Sequence, residues 1–248
     1  EGDPITFETG TNITGVGGFF PQDMVEFDFD GDNDIDLATI DLANGFVTIL
    51  VNTGNGNFVA STSGGISTTR PTNLAAGDFD NDGRDDLAIF DDVFDTVEIL
   101  RSFAFTRDNP FFIQTSFQTI TYPTTGFAPA FSGVQAVDID NDNDIDLVLS
   151  NDAGSGFGGG HITVIRNSLE LGIGFGGAVF QTNGEAFSTL STRAQDLVLD
   201  DFDGDGSPDV VVISDVNRTG FTFMANSGVR TFGSSLFTPS VAGLNAVT

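Results

Sequence analysis

The chain has 248 residues and a formal net charge of −28, from 36 acidic and 8 basic side chains. Nucleic acids and anionic membrane surfaces are bound mainly through Lys and Arg, so this charge argues against both as partners. The chain contains no Cys, which excludes disulfides, thiolate zinc sites and a cysteine nucleophile. A hydrophobic fraction of 39% is enough for a folded core, and the length allows one large all-β domain or two smaller ones. No apolar run approaches the roughly 18 residues of a membrane span.

Short runs of β-branched and aromatic residues, broken by Gly, Asn and Ser, predict strands from the beginning of the sequence. The first predicted strand covers residues 4–9. Residues 23–27, 37–41, 46–51 and 57–60 then predict four further strands, with tight turns before the last two. An acidic loop separates the first two of these four strands.

The same order of elements returns three times along the chain. The third strand of each later unit is predicted at 97–100, 162–165 and 221–224. The repeat units run approximately over residues 21–70, 71–131, 132–193 and 194–240. A last strand, at 241–247, resembles the first strand of another unit. No segment shows sustained helical periodicity, so almost no helix is expected.

Several of these strands are apolar on both faces, as in residues 46–51 and 209–213. Strands of an open sheet with one wet face would alternate more regularly. Four-stranded units of about 50–60 residues that are buried on both sides suit blades packed around an axis. The sequence therefore predicts an all-β fold, a β-propeller of four-stranded antiparallel blades forming a single domain over residues 1–248.

The acidic loops are four copies of one segment, beginning at residues 28, 78, 138 and 201. Each copy has Asp at positions 1, 3, 5 and 9 and only Gly or Asn at positions 4 and 6. Gly and Asn tolerate positive φ, so the chain can coil around a point. Position 2 is always apolar and is expected to face inward; it is occupied by Phe29, Phe79, Ile139 and Phe202.

Calcium takes about six to eight oxygen ligands, and each loop can supply most of that shell. The predicted carboxylate ligands are Asp28, Asp30, Asp32 and Asp36, then Asp78, Asp80, Asp82 and Asp86, then Asp138, Asp140, Asp142 and Asp146, then Asp201, Asp203, Asp205 and Asp209. A backbone carbonyl is expected from position 7, occupied by Asp34, Arg84, Asp144 and Ser207. The sequence thus predicts up to four Ca²⁺ ions, one in each loop.

Other interpretations of the loops fit less well. Acidic solvated turns are common, but four carboxylates packed into one short loop are costly without a cation. Magnesium prefers to keep several waters, and zinc prefers Cys or clustered His. An EF-hand needs a Glu at position 12, where this chain has Thr39, Ile89, Leu149 and Val212.

The loop signature resembles the FG-GAP and VCBS-type repeats of integrin-like β-propellers. The lead-in DLVL at 196–199 and the closing turn NTGNGNF at 52–58 share the resemblance, which extends over nearly the whole chain. The Phe-Gly element of the family is only partly kept, at 232–233, so the resemblance is closer to VCBS-type repeats than to integrin blades. It implies a calcium ion in the loop between the first two strands of each blade.

The ring can be closed in three ways. The chain can be a piece of a longer propeller, a ring of four or five blades closed by its terminal strands, or a subunit that exchanges those strands with another copy. The sequence leaves the three open.

No catalytic constellation stands out, and the protein is predicted not to be an enzyme. His161 is the only His, it begins a strand, and a structural role is expected for it. There is no nucleophile elbow and no phosphate-binding glycine loop. Asn12 and Asn217 match the N-glycosylation pattern, although chance matches are equally expected in a Thr-rich chain.

The sequence favours an extracellular, secreted or cell-surface module that binds a protein or carbohydrate ligand. The resemblance implies this role, and an acidic chain without Lys suits an environment with millimolar calcium. The alternative is a structural subunit that assembles head-to-tail through its terminal strands into a filament or surface layer. A fragment of an enzyme is a third, weaker interpretation.

Overall fold

The computed structural model describes most of the chain between residues 21 and 237. The described residues are 21–60, 66–67, 70–91, 96–102, 116–121, 130–152, 160–168, 180, 185–189, 194–214, 220–228 and 232–237. They form seventeen strands and no helix. No helix long and apolar enough to cross a membrane is found in this part of the chain.

The strands form four antiparallel sheets, in each of which neighbours in sequence are neighbours in space. The first sheet contains β1 (Pro21–Phe27), β2 (Asp36–Asp41), β3 (Phe46–Asn52) and β4 (Phe58–Ala60), with the short β5 (Ile66–Ser67) also paired to β3. The second sheet contains β6 (Pro71–Gly77), β7 (Asp86–Asp91), β8 (Thr96–Leu100) and β9 (Ser116–Thr121). The third contains β10 (Ala130–Val137), β11 (Asp146–Asp152), β12 (His161–Ile165) and β13 (Glu185–Ser188). The fourth contains β14 (Ala194–Asp200), β15 (Asp209–Ser214), β16 (Gly220–Asn226) and β17 (Phe232–Phe237).

These sheets confirm the predicted fold class of four-stranded antiparallel blades. The extent of the single domain and the bounds of the repeat units stay predictions. The predicted terminal strands at 4–9 and 241–247, and the candidate glycosylation positions Asn12 and Asn217, lie outside the described residues.

The first strands of the four sheets line the inside of the fold. β1 packs against β6, β6 against β10, and β10 against β14. No comparable contact joins β14 to β1 within the described residues, so these four blades form an open arc. Two hydrogen bonds tie first strands together: the Leu74 N–H donates to Asp23 Oδ2 (2.9 Å), and Gln135 Nε2 donates to the Leu197 carbonyl (3.3 Å).

The apolar core consists of three clusters, one between each pair of neighbouring sheets. Loop position 2 contributes to all three. Phe29, Phe79 and Ile139 are each buried against the sheet that follows their own. Full burial of one such side chain contributes about 1.5–3 kcal/mol. The residue at loop position 2 thus packs each of the first three blades against the blade that follows it.

The expectation that position 2 always faces inward is wrong for Phe202, which is 50% exposed. Its ring is in edge contact with Phe223 of the same sheet, at a centroid distance of 6.3 Å. The physical reason is the position of this blade in the arc. Among the described residues no fifth sheet follows the fourth, so nothing covers the face that carries Phe202.

Candidate metal centre

Each acidic loop connects the first and second strands of its sheet and coils through positive φ. All eight residues at positions 4 and 6 have φ between +56° and +90°; they are Gly31, Asn33, Asn81, Gly83, Asn141, Asn143, Gly204 and Gly206. L residues other than Asn and Asp rarely adopt this conformation, which explains why only Gly and Asn occur there. The predicted reason for the Gly/Asn pattern is therefore confirmed.

The position-1 carboxylate lies at the centre of this coil. In the first loop, Asp28 Oδ1 accepts the Gly31 N–H (2.9 Å) and Asp28 Oδ2 accepts the Asn33 N–H (3.0 Å). The equivalent carboxylates Asp78, Asp138 and Asp201 accept N–H groups of their own loops in the same way. Backbone dipoles thus hold the loop closed around one carboxylate.

The position-9 carboxylate is buried and joins two distant parts of its blade. Asp146 Oδ1 accepts the Asn167 N–H from the residues just after β12 (2.7 Å), and Oδ2 accepts the Ile139 N–H at loop position 2 (3.3 Å). Asp36 and Asp209 make the same pair of contacts, and Asp86 accepts the Ser102 N–H. All four position-9 side chains are at most 2% exposed. Sequence reasoning treated these residues only as ligands and missed this structural role.

Each loop brings three carboxylates to within 4.8 Å of one another. The four groups are Asp28, Asp30 and Asp32; Asp78, Asp80 and Asp86; Asp138, Asp140 and Asp146; and Asp201, Asp203 and Asp209. Positions 1 and 3 take part every time. Position 5 completes the first group, and position 9 completes the other three. These Asp-rich groups can hold a metal ion, and a donor set made only of carboxylate oxygens fits a hard cation.

The other predicted ligands lie outside these groups. Asp36 does not belong to the group of three carboxylates in the first loop, but it accepts the two structural hydrogen bonds described above. The position-5 carboxylates Asp82, Asp142 and Asp205 accept the N–H of position 7 in their own loops, as Asp32 also does in the first loop. Position 7 was predicted to act through its carbonyl; it is occupied by Asp34, Arg84, Asp144 and Ser207. Ligation by any of these residues stays a prediction.

Burial makes the charged form of these carboxylates unfavourable. It raises the pKa of Asp36 to about 6 and the pKa values of Asp86 and Asp146 to about 7. Neighbouring loop carboxylates raise them further, while backbone N–H donors act in the opposite direction. Burial, followed by the charge of the adjacent position-5 carboxylate, also raises the pKa of Asp30 and of Asp80. A bound cation would relieve both costs.

Two arginines that sequence reasoning overlooked reach the position-3 carboxylates of the middle loops. Arg166 Nη1 lies 2.9 Å from Asp140 Oδ2, and its Nη2 lies 3.5 Å from Glu185 Oε2. Arg101 pairs with Asp80, and its Nη2 lies 3.5 Å from Asp82 Oδ2. Each follows the third strand of its sheet by one residue. The recurrence of Arg directly after the third strand in two of the repeat units was the sequence signal that could have identified these residues.

Neighbouring blades are joined at the loops by asparagine side chains. Asn167 Nδ2 donates to the Phe79 carbonyl and Asn226 Nδ2 to the Ile139 carbonyl, both at 2.7 Å. Each bond reaches back to loop position 2 of the preceding blade. Ser102 occupies the corresponding place in the second blade, where its buried hydroxyl has no hydrogen-bond partner among the described residues. The recurrence of Asn after the third strand was a signal that sequence reasoning also missed.

His161 begins β12, as predicted, and its side chain is half-buried. It is the first residue of the third strand of its blade, where it pairs with Asn151 and Ser188 in the two neighbouring strands. It belongs to none of the four carboxylate groups.

Comparison with known proteins agrees with the fold. Residues 28–89 match the family model described as an FG-GAP-like repeat. No curated protein sequence matches the chain. The chain is similar in structure to a candidate 6-phosphogluconolactonase from Bacteroides uniformis, with a TM-score of 0.55, 15% identity and coverage of 87% of this chain and 53% of the other. It is also similar to the Dos1 propeller, with a TM-score of 0.50, 10% identity and coverage of 88% and 47%.

The chain spans about half of the length of these two structures. At such low identity the likeness concerns the fold alone. The predicted resemblance is confirmed where the family model matches, over the first loop, the second loop and the strands between them. Residues 28–89 carry an FG-GAP-like repeat, and the chain has a β-propeller fold.

Proposed function

We propose that this protein is an extracellular, calcium-binding β-propeller that acts as a non-catalytic binding module. The observation that carries the proposal is that the acidic loop of each of the four blades places three carboxylates within 4.8 Å of one another. The FG-GAP-like match supports it, because such repeats are typical of extracellular proteins and often bind calcium.

Calcium suits the loops better than other cations. The grouped side chains offer only carboxylate oxygens, and position 7 adds a carbonyl within a flexible coil of Gly and Asn. Magnesium requires a stricter octahedron, and zinc prefers nitrogen or sulfur ligands. Positions 1, 3, 5 and 9 would hold the ion, and the bound cation would offset the repulsion between their carboxylates.

The ligand site that we propose is the cavity between the first strands, with a volume of about 590 Å³. Its lining includes the polar side chains Gln22, Asn73, Ser132, Gln135 and Asp196, and the described residues of the lining include no Arg, Lys or His. Amide, hydroxyl and carboxylate groups recognise the hydroxyls of a neutral glycan or the backbone of a peptide.

Calcium titration of the purified chain tests the proposal. We expect up to four ions per chain by isothermal titration calorimetry, with magnesium competing poorly. The Asp138→Ala variant, which lacks a position-1 carboxylate, is expected to bind one ion fewer. Asp23→Ala, outside the loops, should keep the full number. Absence of saturable calcium binding would contradict the proposal.

Self-association is a second candidate function, and the exposed ends of the arc favour it. On the fourth sheet Val198, Phe202, Ile213 and Phe221 are exposed, although their counterparts in the first sheet pack against the second. On the first sheet Met24 is 59% exposed, whereas its counterparts Leu74 and Leu197 are buried against the preceding sheet. A second copy of the chain would present the face that each end lacks.

Light scattering at increasing protein concentration tests this second candidate. We expect the mass to rise above that of one chain, and the Phe202→Asp variant to remain monomeric because a charge cannot be buried without a partner. Val59→Asp is the matched control. Val59 is 55% exposed but pairs with Val51, on the face of the first sheet that is turned toward the second. A monomeric unmodified chain at all concentrations would rule out head-to-tail assembly.

A further inference from the structure

The four loops differ at one position that lies outside the acidic segment itself. In every blade, a residue at the end of the third strand or within two residues after it donates its N–H to the position-9 carboxylate, which defines an equivalent place in all four. The residues directly before that donor are Val51, Arg101, Arg166 and Ala225. The two middle loops therefore receive a positive charge where the two outer loops receive an aliphatic side chain.

The geometry of the third loop shows what this charge does. Arg166 Nη1 and Asp140 Oδ2 are 2.9 Å apart, and the two side chains are only 6% and 9% exposed. At that burial the ion pair is screened weakly by solvent, so the guanidinium both occupies a carboxylate oxygen and repels an approaching divalent cation.

The second loop carries the same arrangement with an additional charge. Arg101 pairs with Asp80 at position 3 and approaches Asp82 at position 5. Arg84, at position 7 of this loop, also pairs with Asp82, at 2.6 Å. In the first and fourth loops no such ion pair is found among the described residues, and their carboxylates gain most from a bound cation.

We propose that Arg101 and Arg166 are internal counter-cations that divide the four calcium sites into two classes. The first and fourth loops are tight sites, and the second and third are weak sites that fill at higher calcium concentrations. The proposal rests on the proposed calcium binding and states the order in which the four sites fill. A chain with two classes of site stays partly loaded at a calcium concentration that saturates the outer loops.

Calorimetric titration of the full chain with calcium tests the proposal through three variants. Arg166→Met removes the charge but keeps a long apolar stem, and we expect it to raise the affinity of one weak site by about tenfold or more. Arg166→Lys keeps the charge and should retain the weak site. Arg70→Met is the control for net charge, because Arg70 is exposed and lies outside the loops.

The outcomes separate this proposal from the general one. Two affinity classes in the unmodified chain, with one weak site becoming tight in Arg166→Met, would support it. Four equivalent sites, or an Arg166→Met titration identical to that of the unmodified chain, would overturn it while leaving calcium binding intact. No binding at all would remove the proposed function itself. If Arg166→Met does not fold, Arg101→Met tests the same prediction at a more exposed arginine.

Discussion

Replacing Asp146 by Ala is expected to lower the free energy of unfolding by about 2–6 kcal/mol, with or without calcium. The carboxylate is fully buried and accepts two backbone N–H groups, from Asn167 and Ile139. Alanine leaves both donors without an acceptor inside the fold, and each unsatisfied buried donor costs about 1–3 kcal/mol. Urea denaturation in chelator and in millimolar calcium measures the effect.

Asp142→Ala is the matched control for this variant. Asp142 belongs to the same loop but is exposed, and within the described part of the chain its carboxylate accepts one hydrogen bond, from the nearby Asp144 N–H (3.0 Å). We expect this variant to lose stability mainly in calcium, where it lacks a ligand, and to change little in chelator. Equal losses for the two variants in chelator would show that position 9 has no structural role of its own.

Removal of calcium is expected to lower the melting temperature by about 10 °C at pH 8. An ion present at about a hundredfold its dissociation constant stabilises the fold by about 2.7 kcal/mol. For a domain of this size each kcal/mol corresponds to about 2–4 °C, so two tight sites suffice. Differential scanning calorimetry in calcium and in chelator measures the difference.

The difference between the two melting temperatures should shrink as the pH falls to 5. In the metal-free fold the pKa of Asp36 is raised to about 6 and those of Asp86 and Asp146 to about 7, above the value of about 3.9 in an unfolded chain. The metal-free fold is therefore favoured by protonation at low pH and loses that stability as the pH rises through 6 to 7. The proposed calcium ions would bind the ionised carboxylates, so we expect their contribution to stability to grow over the same pH range.

Magnesium at the same concentration is the control for ionic strength and should restore little of the lost stability. An identical melting temperature in calcium and in chelator at pH 8 would contradict calcium binding at any of the four loops. A difference that stays constant between pH 5 and 8 would contradict only the role assigned to the buried carboxylates.

The loops and strands could be predicted because their causes are local. Positive φ at Gly31 or Asn143 depends on the residue itself, and the strands follow from short apolar runs bounded by turns. The carboxylate groups follow as well, because Asp at alternate positions of a tight coil must converge. This part of the site needed no knowledge of the neighbouring blade.

The burial of loop position 2 and the contacts between distant residues depend on how the strands and blades are arranged, and these could not be predicted from local patterns. Phe202 has the same loop position as Phe29 but lacks a following sheet, so identical patterns have opposite burial. The pairing of Arg166 with Asp140 joins residues 26 positions apart in one blade, and it depends on the register in which β11 and β12 pair. Asn167 reaches Phe79 across 88 positions; the recurrence of Asn marks the position in the sequence, but the carbonyl that it reaches is set by the packing of the blades.

The hydrogen bonds that asparagine side chains make between blades also relate the structure of a loop to the order in which the chain is synthesised. The carbonyls of Phe79 and Ile139 receive their donors from Asn167 and Asn226, which are translated 88 and 87 residues later. A ribosome that has finished the second loop has therefore not yet made the side chain that secures it. The second and third loops are therefore completed only when the following blade has been synthesised, so their final structure depends on a part of the chain that is made later.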